Sequence, residues 1–492
     1  MLTEKNIRNI FIYAVPKFVG YGLNLIILPI LTRLLTPDDF GIIILAGVFP
    51  NIATNIFTLG VAFGVERYYF EYRKEPEKLN ALISSSQVFL YVSLVLSSCI
   101  VFILKGHISK LIIGDTKYGF AIFIAFIAAY FGQIITFYLR LYQNMEKAAI
   151  HSIFTVVQTV TSVVISLLFV LYFKMSYMGM LYGSLTGALV VCLAMLFHFN
   201  RDSKYLFSRK ILMENIKYGL QVVPKSFSGF VNKFFDKYML NTMLSLSAAG
   251  IFNIGQTIGN TMFFFMGTIW SSFQPVCYRE VFDKGKDGSV SAGRIFTIFS
   301  YITLMPVLLL ILFAQEIVYA IAPAPYYEAI DIIIIISGGV ATQTFGMFVG
   351  VQYAYSKKAY WIFPITVIGT IANVVANIIL IPKYGLIGAG VSVNIGYIAM
   401  YGILTFAGQK LYRVQYEWKT IVQLYAIIGG AIISVLYLRA IEFHNLFLYL
   451  IKVVFIAFFI LEGIWAKVIT RRSIEKVFGT FFNCYGRKEV QT

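Results

Sequence analysis

Charged residues are scarce in this 492-residue sequence: they make up 13% of the chain, whereas a globular protein has about 25%. Apolar residues make up 59%. A chain of this length cannot cover the surface of soluble domains with so few charges. The composition therefore excludes a cytosolic enzyme, a disordered scaffold and a fibrous protein, and it indicates a polytopic membrane protein.

Residues that carry catalytic or metal-binding chemistry are also scarce. The four cysteines and four histidines are scattered, and no CxxC pair offers the spacing of a zinc or redox site. The chain lacks the GxxxxGK[ST], GxSxG and HExxH motifs of nucleotide and hydrolase sites. We therefore expect no metal site, no cofactor and no enzymatic activity.

Long apolar runs fill the sequence instead. A membrane crossing needs about 20 apolar residues, and fourteen stretches meet that length. β-Barrel strands would alternate over about ten residues, and these runs do not, so the predicted fold is all-α with fourteen transmembrane helices. The predicted spans are 10–32, 41–62, 82–104, 119–139, 151–173, 178–199, 218–242, 250–273, 295–315, 330–351, 360–381, 386–407, 421–440 and 446–466.

The formal charge of +17 follows from membrane topology. Cytosolic loops of membrane proteins are enriched in Lys and Arg. If the N-terminus is cytosolic, the outer loops hold only seven of the 40 basic residues, and an even helix count places both termini in the cytosol. This enrichment explains the basic pI without nucleic-acid binding. The seven are Arg33, Lys105, Lys110, Lys117, Lys174, Lys383 and Arg439.

The chain matches itself weakly at an offset of 208–210 residues. Six helices per copy is an even number, so the two copies would insert as parallel repeats, with a cavity between them. We predict an N-terminal lobe at 1–208, a C-terminal lobe at 209–415, and helices 13 and 14 with a basic tail at 416–492. The matching pairs include Val15-Pro16-Lys17 with Val223-Pro224-Lys225, Asn24 with Asn232, Gly41 with Gly250, Asn51 with Asn260, Lys174 with Lys383, Gly179 with Gly388, and Gly187 with Gly396.

Charges inside the predicted spans are candidates for function, because each costs about 2.5–3.5 kcal/mol at a helix centre. Lys17 and Lys225 occupy matching positions, so a two-fold relation would bring them together as a site for a phosphate or diphosphate. Lys233 flanks the same face of helix 7. Snorkelling to the lipid headgroups is the competing interpretation for these lysines.

We single out four further charges within the spans. Asp236 and Lys237 are candidates for an ion pair or for coupling to an ion: Asp236 either pairs with Lys233 or exchanges a proton. Lys452 and Glu462 lie near opposite ends of helix 14. For that pair we expect snorkelling.

Uncharged polar residues form stripes on helices 2 and 8. Amides and hydroxyls in this number suit the wall of a cavity that holds a sugar chain, although hydrogen bonding between helices is the alternative. That alternative is at least as good for the stripes of helices 5 and 11, which include Ser162, Ser166 and Asn373. The predicted glycan-facing residues are Asn24, Asn51, Asn55, Asn232, Asn253, Gln256 and Asn260.

Two segments carry a family resemblance. PKFVGYGLNLIILPILTRLLTPDDFGII, beginning at Pro16, resembles the first helix and turn of polysaccharide flippases in the multidrug/oligosaccharidyl-lipid/polysaccharide exporter superfamily. FFDKYMLNTMLSLSAAGIFNIG (Phe234–Gly255) is similar to the matching helix 7 and turn. The resemblance implies a V-shaped pair of lobes, a cavity lined by helices 1, 2, 7 and 8, and a lipid groove flanked by helices 13 and 14.

The resemblance also implies a substrate and partners. The substrate would be an undecaprenyl-diphosphate-linked repeat unit of O-antigen lipopolysaccharide or capsule, moved across a bacterial inner membrane, with Lys17, Lys225 and Lys233 contacting the diphosphate. Membrane lipids and polysaccharide polymerase machinery would be partners, and a coupling ion, proton or sodium, stays open. Alternatives are an ion-coupled drug exporter or a lipid II flippase of the same superfamily. A membrane polymerase or ligase is disfavoured by the short outer loops.

Overall fold

The structure is a computed structural model that describes residues 4–200, 205–441 and 445–468. Within these ranges it describes the backbone but not the side chains of residues 4–11, 14, 17, 200, 222, 224–233 and 445–447. In these ranges the regular structure is entirely helical. The α-helices are α1 (Glu4–Leu34), α2 (Pro37–Ala46), α3 (Val48–Phe57), α4 (Val61–Tyr72), α5 (Pro76–Ile112), α6 (Gly119–Asn144), α7 (Ala148–Leu171), α8 (Ser176–Asn200), α9 (Arg209–Met243), α10 (Leu246–Lys284), α11 (Gly288–Leu312), α12 (Ala314–Ile321), α13 (Ala329–Tyr355), α14 (Ile362–Leu411), α15 (Trp418–Ala440) and α16 (Asn445–Trp465).

The helices follow the predicted spans closely. The predicted stretch 41–62 corresponds to α2 and α3, and 360–381 and 386–407 correspond to two arms of α14. Gly385 separates those arms because its backbone is not helical, with φ 57° and ψ −131°. Glycine adopts this left-handed conformation without the steric cost that a Cβ would add. The short helices α4 and α12 were not predicted.

Ten helical segments in the described residues are long and apolar enough to cross a membrane. Two of them, Leu246–Leu312 with 67 residues and Ala359–Leu411 with 53, are more than twice the length of about 20 residues that one crossing needs. The all-α polytopic fold is therefore confirmed. The count of fourteen crossings and the two-repeat layout stay predictions.

The described residues group into two compact units. The first contains the chain up to Asn253 together with Tyr319–Tyr327, and the second contains Ile254–Val318 and the chain from Glu328 onward. These units are not the predicted lobes, since α9 and the first two turns of α10 pack with the first unit. The predicted boundaries at 208 and 415 describe a sequence repeat, and they stay predictions.

Each unit has its own core. In the first, α5, α6 and α8 enclose a cluster of aromatic residues in which the Gln87 amide and the Tyr91 hydroxyl both contact the Tyr138 hydroxyl, at 3.1 and 2.8 Å. In the second, α13 packs against α11, α14 and α15, and its run Ile332–Ile336 is buried on every side. A helix that is apolar all round belongs in the centre of such a bundle.

Glycines bring α7 and α8 into close contact. A Cβ added to Gly183 would lie 2.4 Å from Ser166 Cα, and one added to Gly187 would lie 2.7 Å from Ser162 Cα. This is the small-residue packing typical of membrane helices. Gly396, the predicted repeat partner of Gly187, makes a similarly close contact in α14, where its added Cβ would lie 2.8 Å from Asn373 Cβ. The serines of the helix 5 stripe therefore take part in helix packing.

Candidate functional site

Two helix turns meet in the first unit, and we call their meeting point the turn junction. It comprises residues 32–41 at the end of α1 and start of α2, residues 241–250 at the end of α9 and start of α10, and the backbone at 112–113 and 319–327. Both turns end in a helix N-cap. Thr36 Oγ1 accepts a hydrogen bond from the Asp39 backbone N–H at 3.2 Å, and Ser245 Oγ accepts one from Ala248 at 3.1 Å.

Glycines allow the two turns to touch. A Cβ added to Gly41 would lie 2.2 Å from the Leu246 carbonyl oxygen, and one added to Gly250 would lie 2.0 Å from the Pro37 carbonyl oxygen. Pro37 is separated from Leu246 by the repeat offset, and Gly41 is separated from Gly250 by the same offset. The two contacts are therefore reciprocal, as in an interface with two-fold symmetry.

Two hydrogen-bond donors repeat the reciprocal pattern one turn earlier. Thr32 Oγ1 donates to the Ile321 carbonyl oxygen at 2.8 Å. Asn241 Nδ2 donates to the Ile112 carbonyl oxygen at 3.2 Å and to that of Ile113 at 3.0 Å. The repeat offset again separates Thr32 from Asn241, and it also separates Ile112 from Ile321. The sequence reasoning missed Thr32 and Asn241, which differ in residue type; the offset itself was the signal that points to them.

A tyrosine seals one side of the junction. The Tyr326 hydroxyl donates to the Leu35 carbonyl oxygen at 2.6 Å, and its ring meets the Phe40 ring edge-to-face at 5.8 Å. Tyr326 is almost fully buried. The junction is thus a closed contact that few hydrogen bonds and a shared apolar cluster hold together, since Ile112, Ile113 and Leu246 pack with Ile42 and Leu45 of α2.

The two predicted coupling residues lie on α9 close to this junction. Asp236 is 1% and Lys237 2% exposed, and Lys237 Nζ lies 5.8 Å from the Phe252 ring centroid. They precede Asn241 by roughly one helical turn, or roughly 6–8 Å along the helix axis. Both side chains are packed inside the first unit, so neither lines an open cavity in this conformation. Their role in ion pairing or coupling stays a prediction.

The predicted diphosphate ligands lie further along the same two helices. Lys17 is on α1, roughly four helical turns before Thr32, and Lys225 is on α9, roughly four turns before Asn241. Both are therefore roughly 23 Å from the junction along their helix axes. The side chains of Lys17, Lys225 and Lys233, and that of the glycan candidate Asn232, lie outside the described residues, so their assignments stay predictions.

The polar stripe of helix 2 lies on α3. Thr54 is buried and donates to the Pro50 carbonyl oxygen at 2.7 Å, and it accepts from Gln133 Nε2 at 3.4 Å. Asn55 Nδ2 donates to the Asn51 carbonyl oxygen at 2.8 Å. Asn51 and Asn55 are half-buried, whereas Thr54 faces the packed interior. The stripe therefore combines helix packing with two amides that still reach the surface.

The remaining glycan candidates lie on α1 and α10. Asn24 is exposed on α1, and Asn253 is half-buried where α10 belongs to the first unit. In the second unit, Gln256 is buried and Asn260 half-buried. Whether these side chains face a glycan stays a prediction.

The expectation that Lys452 snorkels is wrong. Its side chain is 2% exposed and forms an ion pair with Glu316 of α12, within the second unit. The Phe313 and Tyr449 rings lie 5.0 and 4.9 Å from Lys452 Nζ. Hydropathy alone gave no indication of this pair, because its members are far apart in sequence.

Glu462 does not snorkel either. It is buried on α16, where the Gln423 side-chain amide, oriented to donate, lies 3.1 Å from Oε1. Among the residues that the structure describes, no group of three or more His, Cys, Asp or Glu side chains is arranged to hold a metal ion.

Comparison with known proteins places these features in a family. A family model described as polysaccharide biosynthesis protein matches residues 7–278. Among curated proteins, the membrane protein MJ1068 of Methanocaldococcus jannaschii is 24% identical over 287 residues, which is 56% of this chain. The aligned region spans only 55% of that relative's length.

Solved structures share the fold. The lipid II flippase MurJ, in an inward closed conformation, superimposes with a TM-score of 0.69 at 15% identity, covering 93% of this chain and 99% of its own. An inward-facing multidrug resistance MATE transporter of the MOP superfamily gives 0.65 at 16% identity, covering 82% of this chain and 97% of its own. The chain is thus a multi-pass membrane protein with a MOP-superfamily fold, and because the family model covers more than half of it, it belongs to the polysaccharide biosynthesis protein family.

Proposed function

We propose that the protein flips lipid-linked oligosaccharides, carried on undecaprenyl diphosphate, from the inner to the outer leaflet of a bacterial inner membrane. The observation that carries the proposal is the reciprocal set of contacts between positions that one repeat offset separates. The relation that pairs Thr32 with Asn241 also relates α1 to α9, on which Lys17 and Lys225 lie 208 rather than 209 residues apart, within one residue of matching positions. Two ammonium groups at such positions would suit a diphosphate if the repeat relation brings them together.

The turn junction would be the outer gate. Alternating access in repeat-built transporters is a rocking of one bundle against the other. The hydrogen bonds across the junction are few and end on backbone carbonyls, so the main cost of opening would be the separation of the apolar side chains around Ile112, Ile113 and Leu246. In this mechanism the protein acts on substrate position alone, with no bond made or broken, no cofactor, and a proton or sodium ion as the optional driving force.

The family and the fold support a lipid-linked substrate. Polysaccharides are assembled from repeat units that must cross a membrane, and the MurJ fold, a flippase fold, covers more of this chain than the MATE fold does. Both termini would lie in the cytosol, where the positive-inside rule places the basic loops. Association with a polysaccharide polymerase would pass the flipped unit onward.

Flipping is measured in proteoliposomes with a fluorescent oligosaccharide-diphosphate-polyprenol and a membrane-impermeant quencher. Lys17→Ala/Lys225→Ala should slow flipping at least tenfold, since a hydrogen bond to a charged group contributes about 1.5–3 kcal/mol. Lys174→Ala/Lys383→Ala is the matched control, because it removes a second repeat-related lysine pair whose side chains are exposed. Wild-type flipping in the first variant would contradict the diphosphate site.

The alternatives are tested with the same vesicles. Transport of cationic dyes driven by an ion gradient would identify a drug exporter, and equal flipping of lipid II would identify a lipid II flippase. We expect neither. Several lysines in the spans disfavour a cationic drug. The cavity arginines characteristic of lipid II flippases are not evident here, because the spans contain no arginine apart from Arg439 at the very end of 421–440.

A further inference from the structure

An apolar groove lies in the second unit between α13, α14 and α15. It has a volume of about 420 Å³ and is lined mainly by aromatic rings, among them those of Phe345, Tyr401, Phe406 and Trp418. This volume falls within the range of about 300–1,000 Å³ for small-molecule sites. None of its lining residues belongs to α16.

Several polar groups of the groove are already paired, whereas Thr405 Oγ1 has no hydrogen-bond partner among the described residues. The Tyr425 hydroxyl lies 2.5 Å from Thr344 Oγ1 and 2.8 Å from the Ala341 carbonyl oxygen. Gln409, at the mouth, donates to the Val414 carbonyl oxygen at 3.1 Å and accepts from the Val414 N–H at 2.9 Å. The groove therefore offers a ligand mainly apolar surface.

A basic pocket of about 730 Å³ continues the groove. The two cavities share Phe406, Gln409 and Trp418, and the pocket adds the cations Lys410 and Arg413. Lys410 Nζ lies 4.6 Å from the Phe406 ring centroid, so the charge stands directly beside the apolar groove. Within the described residues, neither Lys410 nor Arg413 has a carboxylate within 4.0 Å.

We propose that this groove and pocket together bind one anionic phospholipid. Its acyl chains would lie against Phe406 and Trp418, and its phosphate would lie between Lys410 and Arg413. The apolar part belongs in the membrane, since Phe406 is 67% exposed on a predicted transmembrane helix. The cations follow predicted span 386–407 at its cytosolic end, where the leaflet carries anionic lipids.

The binding site is independent of the proposed flipping site. All its lining residues lie on α13, α14, α15 and the segment between the last two, whereas the flipping residues lie on α1, α3, α9 and α10. The test of this site measures lipid binding alone. The lipid-binding proposal can therefore fail while the flipping proposal holds, and the flipping proposal can fail while lipid binding is confirmed.

Trp418 serves as the reporter in a chain whose other tryptophans, Trp270, Trp361 and Trp465, are replaced by phenylalanine. The full chain, delipidated in neutral detergent, is titrated with phosphatidylglycerol whose acyl chains carry bromine, a contact quencher of tryptophan. We expect the brominated lipid to quench the tryptophan fluorescence. Unbrominated phosphatidylglycerol should reverse this quenching, whereas phosphatidylcholine should not. Trp418→Phe should abolish it. Equal competition by the two lipids would overturn the proposal.

Two pairs of variants test the two halves of the site. Lys410→Ala/Arg413→Ala should weaken binding roughly 30-fold, at about 1 kcal/mol for each cation near an anionic headgroup. Arg279→Ala/Lys286→Ala, an exposed pair in the same unit, should leave binding unchanged. Binding that stays within twofold of wild type in the first variant would overturn the phosphate assignment.

Gly402→Leu should block the acyl chains. Gly402 lines the groove, and a Cβ added there meets no atom within 4 Å, so the new side chain fills the groove without disturbing the protein. Gly429→Leu on α15 has the same freedom and does not line the groove, so it should bind normally. Wild-type binding by Gly402→Leu would exclude the groove as the acyl site.

Two other occupants are outcomes that would overturn the proposal. Glycerol phosphate that competes as well as the whole lipid would show a site for free phosphate. Tighter lipid binding by a chain shortened after Val468 would show that residues 469–492 are the native occupant. We expect weak competition in the first case and unchanged binding in the second.

Discussion

Replacing Glu316 by glutamine should destabilise the second unit more than replacing Lys452, its ion-pair partner, by methionine. The two members of the pair differ in burial: the lysine side chain is 2% and the glutamate side chain 34% exposed. Removing the glutamate charge leaves a buried ammonium group without its counter-charge. Removing the lysine charge leaves a carboxylate on a side chain that is 34% exposed, although its Oε2 is buried.

The magnitudes follow from that asymmetry. Breaking a buried pair costs about 3–5 kcal/mol, and the Phe313 and Tyr449 rings beside Lys452 Nζ would recover about 1 kcal/mol. Glu316→Gln should therefore cost about 2–4 kcal/mol. Lys452→Met keeps the apolar stem packed and should cost about 1 kcal/mol. The double variant should cost no more than about 1 kcal/mol, because neither charge remains.

Unfolding in mixed micelles of neutral detergent and SDS measures these free energies, and the four proteins form a double-mutant cycle. The expected coupling energy is at least about 2 kcal/mol. The exposed pair Lys284 and Glu280 is the matched control, and Lys284→Met should leave stability unchanged. Equal losses for the two single variants, or losses that add in the double variant, would refute the argument from burial.

Three further outcomes are expected. Gly250→Leu should lower the free energy of unfolding by about 3 kcal/mol, since its Cβ would lie 2.0 Å from the Pro37 carbonyl oxygen of α2. Gly267→Leu in the same helix is the control, because a Cβ there meets no atom within 4 Å, and it should change the melting temperature little. Gly183→Leu should separate α7 from α8 and cause a comparable loss, measured by the same unfolding titration. Burial and then the Glu214 carboxylate raise the pKa of Tyr72 to about 12 from 10.0. The neutral Tyr72 side chain therefore contributes to stability fully below pH 10, and this contribution is lost as the pH rises through 12. In Tyr72→Phe, unfolding titrations should show a smaller loss of stability between pH 10 and pH 12 than in the wild type.

The helices were predictable because hydropathy decides them. A stretch of about 20 apolar residues has no stable state in a membrane except a helix with its backbone bonded internally. The short helices α4 and α12 were not predicted, because hydropathy detects only stretches that are long and apolar enough to cross a membrane. α4 carries Glu66 and Arg67, and α12 has only eight residues, so neither reaches the length or apolarity of a crossing.

The charged sites were less predictable, because burial and pairing are tertiary properties. Asp236 and Lys237 were identified as intramembrane charges, yet only the packing of α9 and α10 in the first unit shows that both are buried. Lys452 was expected at the lipid headgroups because it lies near one end of the predicted span 446–466, and its partner Glu316 lies in a short helix that was not predicted. A cost of about 2.5–3.5 kcal/mol at a helix centre predicts that a charge finds a partner, but not which one.

The turn junction explains why the repeat is so faint in the sequence. Thr32 and Asn241 perform the same task with a hydroxyl and an amide, and their acceptors are backbone carbonyls, which any residue supplies. Selection on these contacts therefore does not preserve residue identity. Gly41 and Gly250 differ, since a Cβ would lie 2.2 Å from a carbonyl oxygen at the first and 2.0 Å at the second, and only glycine fits. Identity at the repeat offset should accordingly persist where a side chain must be absent and fade where a donor is enough.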